Sequence, residues 1–192
     1  MTRTFEGGAS VPEAGQWRTR DILVTAVIGV AFGVAFWAFG VAWRALEGLG
    51  PVLNIAYGVW LLPVIVAPLI VRKPGAALFA EMVAAGLSTL LGSTWGPDTL
   101  LSGFVQGAAA EMVFALTLYR AWSWPVLAAA SLASAAAAWI HDWVVYFATF
   151  SLDVVLLIGL FMAISAVVLM PVASIILVRA LRQAGVLEGF PA

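Results

Sequence analysis

Apolar residues occupy this chain in long blocks, with little of the alternation that marks a half-buried strand. A helix crossing the hydrocarbon of a bilayer needs roughly 20 apolar residues. Ile22–Trp43 is such a run and carries no charge, and Val52–Val71 is a second, bounded by Gly50-Pro51 and Arg72-Lys73-Pro74. Pro63 and Pro68 are expected to kink or shift that second helix. Gly75–Gly92 is interrupted only by Glu81, and Thr99–Tyr119 only by Glu111. A fifth run, Pro125–Phe150, contains His141 and Asp142, and the sixth, Val154–Val178, ends at Arg179 and Arg182. A transmembrane barrel would alternate every second residue. The pattern therefore predicts an all-α integral membrane protein with six transmembrane helices. Residues 22–182 form its membrane domain, between an N-terminal tail (1–21) and a short C-terminal tail (183–192). The early residues do not read as a cleavable signal peptide, because the run that follows is of full spanning length.

Charge placement fixes the expected orientation. With six passes, both termini and the second-to-third and fourth-to-fifth loops share one side. That side holds Arg3, Arg18, Arg20, Arg72, Lys73, Arg120, Arg179 and Arg182 out of nine cations, leaving Arg44 opposite. Cationic loops stay on the cytoplasmic side, so both termini are expected in the cytoplasm of a bacterial cell. Composition agrees: 64% of residues are hydrophobic and 10% charged, against about 25% charged in a soluble domain. Nine cations against ten acids leave a net charge of −1, which excludes a nucleic-acid partner. The absence of cysteine removes disulfides and thiolate chemistry, and a single histidine excludes a multi-histidine metal centre. No phosphate-binding Gly-x-x-x-x-Gly-Lys-Ser/Thr loop occurs, so ATP, if it drives transport, is hydrolysed by other subunits.

Ionisable groups are costly within a bilayer and face a cavity or a partner. At 1.5 Å per residue, Glu81 and Glu111 fall about 9 and 12 Å from the cytoplasmic ends of their helices, Gln106 about 20 Å and His141–Asp142 about 24–26 Å. Trp37, Asn54, Tyr57 and Trp60 reach the same outer half, and Trp95 lies in the external loop that follows. Trp139, Asp142, Trp143 and Tyr146 recur at helical spacing as an aromatic stripe with a carboxylate in it. Trp17, Trp122 and Trp124 read as interfacial anchors. Rings, an amide, carboxylates and an imidazole together suit a flat polar or cationic heteroaromatic ligand. Small residues recur four apart in Gly29-x-x-x-Gly33, Ala31-x-x-x-Ala35 and Gly103-x-x-x-Gly107, a spacing that lets helices approach closely in lipid.

The stretch Gly75-Ala76-Ala77-Leu78-Phe79-Ala80-Glu81, then Leu91-Gly92-Ser93-Thr94-Trp95-Gly96, then Gly103 through Ala115 with Gln106 and Glu111, resembles the YkoE family. Its members are substrate-binding S components of energy-coupling-factor (ECF) vitamin importers. The resemblance implies high-affinity capture near the external face of thiamine or its hydroxymethylpyrimidine precursor. It also implies a transmembrane coupling protein and two ATPase subunits as partners, and a toppling motion that releases the ligand. It places the docking surface for the coupling protein at Ala31 and Ala35. Ligand binding then falls to Trp139 and Trp143 as stacking rings, Glu81 or Glu111 at the pyrimidine edge, and Gln106 with His141 as further hydrogen-bonding groups. Asp142 balances the thiazolium charge, with Tyr57, Trp60 and Trp95 nearby.

A self-sufficient proton-coupled secondary transporter, with Glu81, Glu111, His141 and Asp142 as relay groups, is the alternative; no internal repeat of the kind such transporters often carry is evident. An intramembrane enzyme is disfavoured, because no Gly-x-Ser-x-Gly elbow is present and two glutamates lack the usual aspartyl-dyad chemistry.

Overall fold

The computed structural model describes residues 16–190, so positions 1–15 of the expected N-terminal tail and the last two of the C-terminal tail lie outside the described residues. Among the described residues all regular structure is helical. Helix α1 spans Thr19–Leu46 and runs into a 3-10 segment, Glu47–Leu61. Then follow α2 (Pro63–Val71), α3 (Ala76–Leu90), α4 (Asp98–Leu116), α5 (Trp124–Val145) and α6 (Leu152–Ile164). A π-helical turn, Ser165–Leu169, joins α6 to α7 (Met170–Gln183).

The all-helical, membrane-type architecture is as the sequence predicted, but the helices are not uniform passes. Four stretches, 19–71, 98–116, 124–145 and 152–183, are long and apolar enough to cross a membrane, while α3 is apolar but only 15 residues long. The expected second span is the main departure. Gly50 takes a left-handed φ of +65°, Pro51 follows, and the chain then winds as a 3-10 helix up to Pro63. Pro63 opens α2, where its missing N–H costs nothing. Pro63 therefore acts as a helix start and not as a kink within one continuous helix.

Every residue of α2 is buried, which makes this short helix the centre of the core. Around it, small residues set the spacing. A β-carbon on Gly29 would come within 2.6 Å of Val83, and one on Gly33 within 2.7 Å of Leu87, so α1 lies directly on α3. Gly103 and Gly107 do the same for α4, whose missing β-carbons leave room for Ala85 and Leu78 of α3. Gly58 in the 3-10 segment abuts Met170 and Ser165, and its N–H donates to Ser165 Oγ at 2.9 Å. The π turn begins at that contact.

The first and last described segments meet at one end of the helices. Trp17 Nε1 donates to the Pro74 carbonyl (2.9 Å), Arg72 lies over the Trp122 ring, and Arg20 donates to the Gly189 carbonyl while stacking on Phe190. Trp17 and Arg20, expected in the tail, are thus packed onto the helical body.

Candidate functional site

At the opposite end, a cavity of about 530 Å³ opens between α1, the 3-10 segment, α3, α4, α5 and α6. Its entrance is marked by Arg44 and Glu47, both half exposed and paired at 2.9 Å.

One wall is aromatic. Trp60 packs on Trp43 (ring centroids 4.7 Å apart), on Tyr57 (5.2 Å) and, edge to face, on Trp95 (5.2 Å). These rings come from three places in the sequence. Trp43 continues the inward face of α1 marked by Phe36 and Gly40. Tyr57 and Trp60 sit a single 3-10 turn apart, the spacing at which side chains of that helix eclipse. Trp95 reaches in from the α3–α4 turn, where its ring packs into the notch left by Gly40 and lies 5.7 Å from the Arg44 guanidinium.

The facing wall is polar. Asp98, Ser102 and Gln106 fall on one face of α4 at steps of four and all line the cavity. Glu81 joins them from α3. The depth count placed Glu81 below the other candidates, yet it lines the same cavity, because Gly103 and Gly107 hold α3 against α4. Glu81 is 1% exposed and Gln106 3%. Both Glu81 Oε2 and Gln106 Oε1 lack a hydrogen-bond partner, a costly state for buried polar atoms.

A hydrogen-bonded chain ties this wall to α5. Gln106 Nε2 donates to Ser102 Oγ (2.6 Å) and to Tyr57 Oη (3.4 Å), and Tyr57 donates to Asp142 Oδ2 (3.1 Å). His141 joins two carboxylates, with Nδ1 2.9 Å from Asp142 and Nε2 3.2 Å from Asp98. Tyr146 donates to the other Asp98 oxygen. His141 lies behind Asp142, outside the cavity lining. The lining carries four carboxyl side chains, Glu47, Glu81, Asp98 and Asp142, against the single guanidinium of Arg44.

Of the residues singled out in the sequence, Asn54, Tyr57, Trp60, Glu81, Trp95, Gln106, Asp142 and Tyr146 converge on the cavity, and Trp37, Trp139, Trp143, His141 and Glu111 do not. The α5 stripe is about 100° wide by helical geometry, and its edges part company. Asp142 turns inward, while Trp139 lies over Gly159 and donates to the Val155 carbonyl of α6 at 2.9 Å, with Trp143 packed beside it. Glu111 accepts from the backbone N–H groups of Gly75 (2.6 Å), Ala77 (3.0 Å) and Leu78 (3.4 Å), and from Tyr119 (2.7 Å). It thereby satisfies the start of α3, a position where a helix leaves donors unpaired and favours negative charge. Trp43, Glu47, Asp98 and Ser102 were not singled out. The four-residue spacing leading to Gln106 was the available signal for Asp98 and Ser102. Among the described residues no group of three or more His, Cys, Asp or Glu side chains is arranged to hold a metal ion.

Three likenesses to known proteins agree with this arrangement. Residues 20–137 match the family described as ABC-type cobalt transport system, permease component. A protein of Bacillus subtilis (strain 168) bearing the name HMP/thiamine permease protein YkoE is 35% identical over 176 residues, 90% of this chain and 88% of that protein. A crystal structure of an S component of an ECF transporter superposes with a TM-score of 0.86 at 34% identity, covering 91% of this chain and 90% of that one. These are membrane transport subunits and not enzymes. This chain is accordingly an integral membrane protein of the YkoE-like family, a substrate-binding S component of the ECF-transporter type.

Proposed function

We propose that the cavity captures thiamine or its hydroxymethylpyrimidine precursor from outside the cell, and that separate subunits energise its import. The observation that carries this reading is the indole wall of Trp43, Trp60 and Trp95 facing the side chains of Glu81, Asp98, Gln106 and Asp142 across one cavity. An aminopyrimidine edge offers N–H donors to the carboxyl and amide side chains of that polar wall. The ring faces of Trp43, Trp60 and Trp95 stack on a flat heterocycle and attract a thiazolium cation. The carboxylate excess around the lining favours a cation over an anion. In this reading stacking falls to those three indoles, while Trp139 and Trp143 brace α5 against α6 and Glu111 anchors α3.

The remaining parts of the assembly follow the same logic. Gly29 and Gly33 face inward, and on the other side of α1 Ala31 is exposed and Ala35 partly so. That outer strip is where a transmembrane coupling protein docks, and two ATPase subunits complete the importer. Six passes with both termini cytoplasmic place Arg18, Arg20, Arg72, Lys73, Arg120 and Arg182 inside and open the cavity outward. The meeting of Trp17 with Pro74, and of Arg20 with Gly189, supports that grouping.

The test is calorimetric titration of the purified full chain in detergent with thiamine and with hydroxymethylpyrimidine, paired with tryptophan fluorescence. Saturable binding at micromolar or lower concentration, with quenching, is expected. No heat and no quenching from either compound at about 100 µM, a concentration that detects even weak association, overturns the reading.

A further inference from the structure

Capture of a cation, as in the functional reading above on which this inference rests, depends on the charge of the cavity wall. That charge depends on how many protons the wall's carboxylates share. Asp98 of α4 and Asp142 of α5 both line the cavity, and His141 stands between them with its side chain only 8% exposed. Its Nδ1 lies 2.9 Å from Asp142 Oδ1 and its Nε2 3.2 Å from Asp98 Oδ1. The other oxygen of each carboxylate accepts from a tyrosine, Tyr57 at Asp142 and Tyr146 at Asp98. The phenolic protons therefore serve those contacts and none reaches the imidazole.

A neutral imidazole carries one N–H and one lone pair. With a carboxylate oxygen at each nitrogen, one of the two contacts would set lone pair against lone pair. A second proton, on nitrogen or on oxygen, removes that clash. The two negative charges of Asp98 and Asp142 are thereby reduced to one. The remaining ionisable side chains of the lining are Glu81 on α3 and Arg44 on α1, the latter paired with Glu47 of the 3-10 segment. From α6 the apolar Val154 and Ile158 reach the cavity. Histidine is also the side chain whose charge ordinarily changes between about pH 5 and 8.

We propose that the Asp98–His141–Asp142 cluster exchanges its shared proton for the ligand's positive charge, so that His141, acting through the two carboxylates, is a positioning residue by which the cavity distinguishes a cationic heterocycle from a neutral one. Asp98 keeps 26% of its side chain exposed. A cation entering beside it repels the shared proton, which passes to water. The effect is coulombic and needs no contact between ligand and imidazole. A unit charge acting across roughly 8–10 Å at an effective dielectric of about 20 changes affinity by about tenfold or more. Linkage is reciprocal, so the proton weakens the cation by the same factor and cation affinity rises with pH. A neutral ring has no charge to exchange, and its affinity stays level. Proton and ligand pass through the same opening, so the exchange drives no transport.

Calorimetric titration of the full-length chain in detergent, at matched pH in two buffers of contrasting ionisation enthalpy, counts the protons released. The probes are thiamine, a permanent cation, and neutral hydroxymethylpyrimidine. Thiamine is expected to release a proton from the wild type, seen as a heat that differs between buffers. Its affinity should rise about three- to tenfold from about pH 7 to 8.5. Hydroxymethylpyrimidine should give the same heat in both buffers and an affinity that does not move with pH. In His141→Gln thiamine binding should persist, with the buffer difference and the pH slope gone. Asp98→Asn reaches the same loss by another route, because its NH2 donates to Nε2 and lets a neutral imidazole satisfy both sides.

A purely structural His141 would change affinity without any proton release to lose. Thiamine binding to the wild type without proton release overturns the proposal, as does equal release with hydroxymethylpyrimidine or release that survives in a folded variant. If neither variant folds, the wild-type contrast between the two ligands decides; if hydroxymethylpyrimidine does not bind, the thiamine titrations decide. A wild type that binds neither compound overturns the functional reading itself, which keeps the two failures apart.

Discussion

Glu81 and Glu111 look alike in the sequence: each is a lone carboxylate in an apolar run, preceded by alanine and followed by methionine. Their environments separate them. Glu111 is saturated by backbone donors and Tyr119, whereas Glu81 lines the cavity and keeps one buried oxygen without a partner. Replacing Glu81 by Gln nearly conserves volume, removes the charge and turns one acceptor oxygen into an NH2 donor. It is expected to weaken hydroxymethylpyrimidine binding by about tenfold or more, about 1.4 kcal/mol, with thermal unfolding in detergent unchanged or slightly raised, since a partnerless buried carboxylate is itself a burden. Unaltered affinity in calorimetry would remove Glu81 from the site. Trp60 touches three other rings of the wall, so Trp60→Ala should cost more than Trp139→Ala in ligand affinity and should reduce the fluorescence response. A larger loss from Trp139→Ala would return the stacking role to α5. The sequence could identify these residue types but not which indoles share a wall. Periodicity gives the angle around one helix, and the wall is made by α1, the 3-10 segment and the α3–α4 turn together.

At the scale of elements, the small residues were readable and their partners were not. Gly29-x-x-x-Gly33 and Ala31-x-x-x-Ala35 are interleaved on α1 and about 200° apart for neighbouring members, so one pair must face in if the other faces out. Only the packing shows that the glycines face in, against Val83 and Leu87. Because the carbonyls of Ala80 and Ala84 also stand 2.9 Å from the missing β-carbons, the backbone of α3 would have to move. Gly29→Ala and Gly33→Ala are each expected to destabilise by about 1–3 kcal/mol, the range for overpacking, and thermal scans of the purified chain should show a drop of several degrees. Ala31→Gly at the outer strip should leave the unfolding temperature nearly unchanged. Glu111→Ala leaves the Gly75 and Ala77 N–H groups without their acceptor. A loss of about 2 kcal/mol is expected, with ligand affinity affected much less than by Glu81→Gln. The reverse ranking of these two variants in binding would mean that the anchored carboxylate, and not the cavity-lining one, meets the ligand. The winding of residues 47–61 was the least legible element. Pro63 and Pro68 announced irregularity, but the segment's close contact, Gly58 on Ser165 and Met170, lies more than a hundred residues onward.

The whole molecule has its polar recess at one end and its basic loops at the other, and that polarity separates the two ways such a chain can move a solute. A secondary transporter needs titratable groups that reach alternately toward each side. Here the ionisable groups other than Glu111 that the sequence placed within the membrane, Glu81, His141 and Asp142, belong to the cavity or the network behind it. Glu111, nearer the other end, is fixed to the start of α3. The α2 helix at the centre of the core is buried along its entire length. A body built as the proposed capture subunit holds its ligand on one side and depends on a partner for release toward the cytoplasm. The purified chain in proteoliposomes should therefore bind labelled thiamine up to one equivalent and stop there, with or without an imposed proton gradient. Co-reconstitution with a coupling protein and two ATPases should convert binding into ATP-dependent accumulation. Bulky substitutions at Ala31 and Ala35 should abolish that accumulation while leaving the one-equivalent binding intact, because they alter the outer strip of α1 and leave the recess unchanged. Accumulation beyond one equivalent by the chain alone, driven by a pH gradient, would overthrow the division of labour and make Glu81, His141 and Asp142 a relay.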